Sequence, residues 1–320
     1  MSTPQSQPTA RLRVLELWDK LGMLVVFVAM FIVLSVTVPN FFSPENMKGL
    51  ALSVATVGII SCTMMFCLAA GDFDLSIGSV VAMAGVLSAV VINKTGSVTL
   101  GISAALLAGG VVGFFNGFII ARVGINALIT TLATMQMVRG AAYLVSDGKS
   151  VGISEEKFFQ LGISHFAGIP TPVWIMIVCF AIFGVMLHKS VFGRYALAVG
   201  GNKAAAGFSG INVPKIKIAI FTLQGIVAAF AGVILAARFT SGQPKTAEGL
   251  ELQVISACVL GGVSLTGGVA SMLGVIVGVF IMGTVSNAMN LKNIDPFWQY
   301  VVSGGILLAA VLFDRLKQRR

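Results

Sequence analysis

The chain has 320 residues, of which 57% are hydrophobic and only 10% are charged, and its mean hydropathy is +0.96. Soluble domains carry about 25% charged residues, so this composition excludes a soluble globular protein and indicates an integral membrane protein. The net charge of +9 does not indicate a nucleic-acid binder, because the basic residues lie mainly in the two tails and one polar segment rather than on one aromatic-laced face.

A helix needs about 20 mostly apolar residues to cross the hydrocarbon of a bilayer. Six runs are clear candidates: Leu21–Val38, Leu50–Ala70, Val98–Ala121, Ile218–Ala237, Met272–Met289 and Trp298–Phe313. Four candidates are shorter or more polar: Ser76–Ile92, Asn126–Val145, Val173–Leu187 and Leu250–Leu265. The four-residue glycine repeat Gly109, Gly113 and Gly117 in one run favours tight packing of helices. We expect an all-α polytopic membrane protein with about ten transmembrane helices.

The distribution of Lys and Arg indicates the orientation of the spans, because cytoplasmic loops carry an excess of positive charge. With the N-terminus inside, thirteen Lys and Arg residues fall in inside segments and seven in outside segments, while Arg139 lies within a span. An even number of spans returns the basic C-terminal tail to the cytoplasm. The expected organisation is a cytoplasmic tail (residues 1–20), spans one to six (21–187), a cytoplasmic loop (188–217), spans seven to ten (218–313) and a cytoplasmic tail (314–320).

The most polar stretch between two predicted spans is His188–Lys217, which we call the polar segment. Its basic side chains are Lys189, Arg194, Lys203, Lys215 and Lys217. The turn Gly200-Gly201-Asn202 precedes an alanine-rich run that Pro214 closes, a pattern that favours a short surface helix between turns. A small helix on the cytoplasmic side is well placed to contact a soluble partner.

Three charged side chains interrupt apolar stretches. Asp72 and Asp74 lie between two predicted spans, and an Asp at the middle of a bilayer costs about 2.5–3.5 kcal/mol on insertion scales. These aspartates form either a gate or polar lining, or an interfacial turn in which one of them caps the helix that starts near Ser76. Arg139 lies within a predicted span, where it either snorkels to the interface or pairs with an acidic residue.

Neutral polar side chains inside the spans indicate the kind of solute that passes. Thr130 and Thr134 have the helical spacing that places both hydroxyls on one face. A passage lined by hydroxyls and amides suits a neutral polyhydroxylated solute better than an ion, although hydrogen bonding between helices accounts for each residue singly. The expected lining residues are Asn126, Thr130, Thr134, Gln136 and Gln224.

The sequence shows no catalytic or nucleotide-binding motif. Gly148-Lys149-Ser150 resembles the end of a phosphate-binding loop, but that motif requires a Gly five residues before Gly148, and position 143 is Tyr. The two histidines stand alone, without a carboxylate or thiol constellation. We therefore expect a transport protein rather than an enzyme, with no cofactor and no metal site.

Three motifs follow one another along the chain. The polar segment contains Phe192-Gly-Arg194, Gly200-Gly-Asn202, Ala204-Ala205 and Ser209–Val213, and the other two motifs are Gly71–Ser79 and Leu260–Gly268. In residues and in order they resemble the permeases of bacterial monosaccharide ABC importers, the group that carries ribose, xylose, arabinose and galactose. The resemblance covers the whole chain beyond the N-terminal tail.

Further stretches resemble the permeases of that group that carry L-arabinose: Asn126–Gln136, Ser146–Gly152, Thr240–Pro244, Ile255–Val259 and Gln299–Val302. The resemblance therefore implies import of a monosaccharide, L-arabinose before ribose, xylose or galactose. The choice among these sugars stays open, because in such importers a separate binding protein largely determines which sugar is delivered.

The resemblance also implies partners. Two copies of the permease form the passage in the bacterial inner membrane, surrounded by lipid, two cytoplasmic ATPase subunits drive transport, and a periplasmic binding protein delivers the sugar; nucleic acid is not a partner. The outside loops Ser146–Thr171 and Arg238–Leu250 would contact the binding protein. The residues expected to couple the chain to the ATPase are Arg194, Gly200, Gly201, Asn202, Ala204, Ala205 and Gly210.

Two other classes of transport protein remain as alternatives. An ion-coupled secondary transporter usually needs a buried ionisable residue for coupling, and Arg139 is the one clearly embedded candidate. A passive channel is the second alternative, since Asn126-Ala-Leu and Asn287-Ala-Met faintly resemble paired channel motifs. Ten spans are too many for that class, and the expected Pro is missing.

Overall fold

The structure, a computed structural model, describes residues 10–295 and 297–318, so residues 1–9 of the expected N-terminal tail and 319–320 of the C-terminal tail lie outside it. Its helices are α1 (Ala10–Thr37), α2 (Pro44–Ala69), α3 (Ile77–Thr95), α4 (Val98–Phe118), α5 (Ala127–Val145), α6 (Glu156–Ile163), α7 (Thr171–Lys189), α8 (Val191–Gly201), α9 (Lys203–Phe208), α10 (Val213–Phe239), α11 (Leu250–Leu260), α12 (Met272–Leu291) and α13 (Phe297–Gln318). A π-helical turn, Ile119–Val123, continues α4.

Seven helices within the described residues are long and apolar enough to cross a membrane: α2, α3, α4 with its π-helical turn, α5, α7, α10 and α12. Three apolar helical stretches are shorter: Gly22–Thr37, Leu250–Leu260 and Phe297–Ala309. Each of the ten predicted runs overlaps one of these helices. Hydropathy marks them well because a backbone in lipid must satisfy its hydrogen bonds within its own helix.

One predicted run is wrong in its extent. The sequence predicts a span over Leu250–Leu265, whereas α11 ends at Leu260 and has only 11 residues. Gly262, just beyond its end, has a φ of +83°, a left-handed conformation that glycine adopts without steric cost. A helix of this length extends about 16 Å, roughly half of the hydrocarbon thickness.

The glycine repeat of α4 packs tightly against α10. Gly109 lies against Gly225 and Gly117 lies against Ile218, so a Cβ at either α4 glycine would overlap the backbone of α10. The predicted tight packing at this repeat is therefore confirmed. Small residues allow such close approach of helix backbones, which is how helices gain contact area in a membrane.

Short strands gather several connections at one end of the helices, which we call the strand end. β1 (Val151–Gly152) pairs antiparallel with β4 (Ser241–Gly242), and β2 (His165–Phe166) pairs antiparallel with β3 (Ile169–Pro170). Asn93, near the end of α3, donates its side-chain N–H to the Gly152 carbonyl at 2.7 Å. The end of α3, the connection between α5 and α7 and the residues directly after α10 therefore lie together.

Candidate functional site

The polar segment folds into two short helices, each started by a side-chain cap. Ser190 accepts the backbone N–H of Gly193 at 3.0 Å at the start of α8, and Asn202 accepts that of Ala205 at 2.9 Å at the start of α9. Such caps satisfy a backbone donor that the first turn of a helix leaves free. α9 lies where the sequence predicts a surface helix, whereas α8 has no counterpart in the prediction.

Most of the residues predicted to couple the chain to an ATPase are accessible. Those exposed are Arg194, Gly201, Asn202, Ala204, Ala205 and Gly210. Gly200 differs from the others because it is half-buried and faces the interior of the molecule. The polar segment thus has an outer surface available to a partner and one glycine that contacts the helices behind it.

The sequence analysis missed the most exposed large apolar side chain of the polar segment. Phe208, the last residue of α9, is 93% exposed. It borders a shallow, largely apolar surface together with Lys203, Ala204, Gly207 and Val213. An aromatic side chain exposed to this degree on a short capped helix has the form of an anchor that a partner buries. The only signal in the sequence was a single Phe among small and polar residues.

Behind the polar segment, three parts of the chain meet through their backbones, a contact that we call the inner junction (Ala69–Asp74, Gly200 and Thr266–Gly268). Gly268 donates its N–H to the Ala69 carbonyl at 2.9 Å. A Cβ on Gly200 would overlap both groups, and Gly267 lies against Gly200 and Gly71. The end of α8 therefore rests directly on the end of α2 and on the turn after α11.

An ion pair joins the inner junction to α10. The Lys217 ammonium lies 2.5 Å from the Asp72 carboxylate, and the two side chains are only 11% and 12% exposed, respectively. Lys217 stands in the second turn of α10, at the end of the polar segment, so the pair fastens the start of α10 to the turn after α2. Removal of one partner would leave the other charge buried without compensation.

Asp74, the second aspartate of this turn, is bonded to the residue that precedes α3. Its carboxylate accepts the backbone N–H of Ser76 at 2.8 Å and the Ser76 hydroxyl at 2.6 Å, directly before α3 begins at Ile77. Asn116 of α4 donates its side-chain N–H to the same hydroxyl at 3.0 Å. These buried bonds hold the start of α3 against α4.

The five residues predicted to line a passage do not share one surface. Asn126 accepts a backbone N–H in the first turn of α5 at 2.8 Å, and Thr130 and Thr134 are buried with their hydroxyls donated to carbonyls of the same helix. Gln224 is fully buried in α10, whereas Gln136 is exposed on α5. The two threonine hydroxyls thus bond within their own helix rather than between helices.

Arg139 is held by backbone carbonyls. Its guanidinium donates to the carbonyl of Pro244 at 2.6 Å and to that of Thr246 at 2.8 Å, although the sequence suggested snorkelling or an acidic partner. Both acceptors lie in Thr240–Gly249, which we call the α10–α11 connection. The sequence assigns this stretch to an outside loop.

The α10–α11 connection does not stay at the strand end. Gly242 lies against Gly85, and the carbonyl of Ala247 lies beside Gly78 in the first turn of α3. The connection therefore runs back along α3 from the strand end toward the start of that helix. Only its first residues, in β4, are in the position expected of an outside loop.

No group of three or more His, Cys, Asp or Glu side chains in residues 10–295 and 297–318 is placed to hold a metal ion. The four cysteines are free and buried.

Comparisons with known proteins identify transport permeases as relatives of this chain. Residues 46–311 match the family described as branched-chain amino acid transport system / permease component. The L-arabinose transport system permease protein AraH of Escherichia coli (strain K12) is 58% identical over 304 residues, which cover 95% of this chain and 93% of the relative.

Two further relatives show the range of similarity. The L-arabinose ABC transporter permease protein AraH of Azospirillum brasilense is 56% identical over 97% of this chain and 92% of its own length. The ribose import permease protein RbsC of Bacillus subtilis (strain 168) is 39% identical over 93% of this chain and 94% of its own length. No solved structure matches the chain.

Proposed function

The chain belongs to the family of branched-chain amino acid transport system permease components, and we propose that it is the membrane subunit of an ATP-driven importer of L-arabinose. It is a transport component rather than an enzyme, and a multi-pass protein of the inner membrane. The observation that carries the choice of sugar is the 58% identity, over 95% of the chain, to a relative named as an L-arabinose permease. The relative named for ribose is 39% identical.

In this proposal the chain crosses the membrane ten times, with both termini in the cytoplasm. Seven helices have the length and hydropathy of spans, and the apolar parts of α1, α11 and α13 complete the number. The excess of Lys and Arg in alternate connections supports the orientation. Contacts between connections agree with it, because the polar segment meets the turns after α2 and α11, while β1 and β4 join connections at the opposite end.

The polar segment is the proposed docking surface for the cytoplasmic ATPase. Phe208 would be its apolar anchor, with Asn202, Ala204 and Ala205 around it, because aromatic side chains at the centre of an interface contribute most of its binding energy. Gly200 would transmit the motion of the ATPase inward, since its contact with Ala69 leaves no compressible side chain between α8 and α2.

Three further partners complete the proposal. A periplasmic sugar-binding protein would contact the strand end through Ser146–Thr171, which β1 ties to β4. A second copy of the chain would complete the passage, and lipid would surround the pair. A switch of α10 and the turn after α2 between two arrangements would open the passage to one side at a time, and the Asp72–Lys217 ion pair would hold these two elements together as they move.

The test is reconstitution of the permease with its ATPase and its binding protein in vesicles, followed by uptake of labelled L-arabinose. We expect uptake that requires ATP and the binding protein and that excess unlabelled L-arabinose suppresses more strongly than ribose, xylose or galactose. Uptake driven by a proton or sodium gradient without the ATPase would instead establish a secondary transporter. Downhill flux through the permease alone would establish a channel.

A further inference from the structure

α3 begins in the middle of the helix bundle rather than at its end. It runs parallel to α10, because the backbone of Val81 lies against Gly232 and Gly85 lies against Ala236. The same offset places Ile77, the first residue of α3, level with Ala228, about 16 Å from the strand end of α10 at a rise of 1.5 Å per residue. The start of α3 is therefore deep inside the part of the molecule that spans the membrane.

The α10–α11 connection descends to this same depth. From Gly242 beside Gly85 it reaches Ala247 beside Gly78, and the carboxylate of Glu251 also lies beside Gly78. Non-helical backbone at such a depth is tolerated only where protein buries it or where it lines a water-filled cavity. A broken helix of this kind is a recognised marker of solute sites in membrane transporters.

Four polar side chains belong to this connection, to the first turn of α11 or to the part of α5 bonded to the connection, and we call them the polar face: Gln136, Arg139, Glu248 and Glu251. Gln136 and Arg139 are three residues apart, on one side of α5. Arg139 donates to two carbonyls of the connection that carries Glu248, and the carboxylate of Glu251 lies beside Gly78 of α3. Gln136 and Glu248 are exposed, and Arg139 and Glu251 are half-buried, so each of the four side chains keeps part of its surface open.

Contact between the polar face and lipid hydrocarbon would be energetically unfavourable. Ionisable side chains at membrane depth face the bundle interior or a water-filled cavity, since hydrocarbon offers their charges no partner. We infer, on the basis of the proposed function, that the polar face lines the passage next to the second copy of the chain and contacts the sugar during its transfer. On this inference the apolar exposed side of α4, which includes Leu107 and Phe114, is assigned to lipid.

The chemistry of the face suits a neutral polyol. A sugar hydroxyl both donates and accepts, so the carboxylates of Glu248 and Glu251 accept from it while Arg139 and the Gln136 amide donate to it. Hydrogen bonds to charged groups are stronger than those between neutral groups. A few such contacts orient the sugar without enclosing it.

Accessibility of introduced thiols tests the inference in the complete complex, reconstituted in vesicles. The variants are Gln136→Cys and Glu248→Cys, with Leu107→Cys as the lipid-facing control and the wild type, whose four cysteines are buried, as the blank. The probe is a charged methanethiosulfonate. We expect both polar-face thiols to react at least about tenfold faster than the control thiol, because the reactive thiolate forms in water and is suppressed in apolar surroundings.

A second variant separates contact with the sugar from contact with water. Glu251→Gln should lower ATP-dependent uptake of L-arabinose by about tenfold, the effect of losing one hydrogen bond to a charged group, while the complex still assembles. Normal uptake by this variant would contradict the proposed contact between the polar face and the sugar. Reaction of Gln136→Cys and Glu248→Cys as slow as that of Leu107→Cys would overturn the inference altogether.

These outcomes are distinct from failure of the proposed function. If the wild-type complex imports no L-arabinose with ATP, the proposed function is wrong whatever the thiols do. If the wild type imports the sugar and the polar-face thiols stay unreactive, the proposed function stands and the passage lies elsewhere.

Discussion

Two connections bring non-helical backbone into the interior of this protein, and they handle charge differently. In the α2–α3 connection (Ala70–Ser76), Asp72 is paired with Lys217, and Asp74 accepts two hydrogen bonds from Ser76. In the α10–α11 connection, Glu248 is exposed, and the Arg139 guanidinium, which is bonded to this connection, donates to backbone carbonyls. The first connection satisfies its charges within the chain, and the second leaves its charge uncovered.

On the inference drawn above, this difference separates a structural role from a transport role. A buried charge is tolerated when it is paired and hydrogen-bonded, so the aspartates of the α2–α3 connection serve to fasten helices to one another. An uncovered carboxylate inside the helix bundle contributes little to the fold and needs water or a solute beside it. The comparison predicts that substitutions in the first connection lower stability, whereas those in the second lower transport.

The largest expected effect is the loss of stability when the ion pair between Asp72 and Lys217 is broken. Lys217→Met leaves Asp72 buried without its partner, so we expect the free energy of unfolding in detergent to fall by about 3 kcal/mol. The double variant Asp72→Asn, Lys217→Met should recover much of this loss, because the double change removes both charges. A double-mutant cycle on reversible unfolding measures the coupling. Additive losses would mean that the two side chains do not form a pair in the folded protein.

The next largest effect is a loss of stability on substitution of Gly200 in the inner junction. Its neighbour Gly201 provides the matched control. Gly200→Ala places a Cβ on the Ala69 carbonyl, where only backbone could move, so we expect a loss of about 2 kcal/mol in stability. Gly201→Ala meets only an ordinary contact with Gly268 and should change stability by less than about 0.5 kcal/mol. Thermal unfolding of the two variants compares them directly. Equal losses would show that overlap at the inner junction is not the cause.

Hydropathy was sufficient to locate the apolar helices but not the two connections. Each of the ten apolar runs overlaps a helix, because length and hydropathy report directly on what lipid requires. The residues Thr240–Gly249 read as an outside loop, since their Gly, Pro and polar content is the same whether the stretch faces water outside or a passage within. Depth depends on packing against α3, which a single sequence does not reveal.

The candidate site was predictable only in part, for a similar reason. Gly200 to Ala205 stood out because their residue types favour a turn and a helix, and they do form the end of α8 and the start of α9. Thr130 and Thr134 were expected in a passage because they are polar, but helical spacing does not tell a buried face from an open one. Glu248 and Glu251 were overlooked because their depth emerges only from the fold.

Docking of the ATPase should depend on Phe208 and should leave both connections intact. Truncation of an aromatic anchor in an interface costs more than about 1 kcal/mol, so Phe208→Ala should weaken binding of the ATPase about tenfold. Phe114→Ala, on the lipid-facing side of α4, is the matched control and should leave binding unchanged. Titration of the ATPase against the permease in nanodiscs measures both. An unchanged affinity for Phe208→Ala would place the docking surface elsewhere on the polar segment.

The smallest expected effect on stability is that of Glu248→Gln, and this variant tests the comparison of the two connections most directly. Glu248→Gln keeps the size of an exposed side chain and removes its charge, so the free energy of unfolding should change by less than about 0.5 kcal/mol. Uptake of L-arabinose should nevertheless fall, because a carboxylate that faces the passage accepts hydrogen bonds from a sugar more strongly than an amide does. Unfolding and uptake assays on both Glu248→Gln and Lys217→Met compare the two connections by the same two quantities, the free energy of unfolding and the rate of uptake. If Glu248→Gln destabilised the protein as strongly as Lys217→Met, the uncovered carboxylate would be a structural group, and the division between a fastening connection and a transporting one would fail.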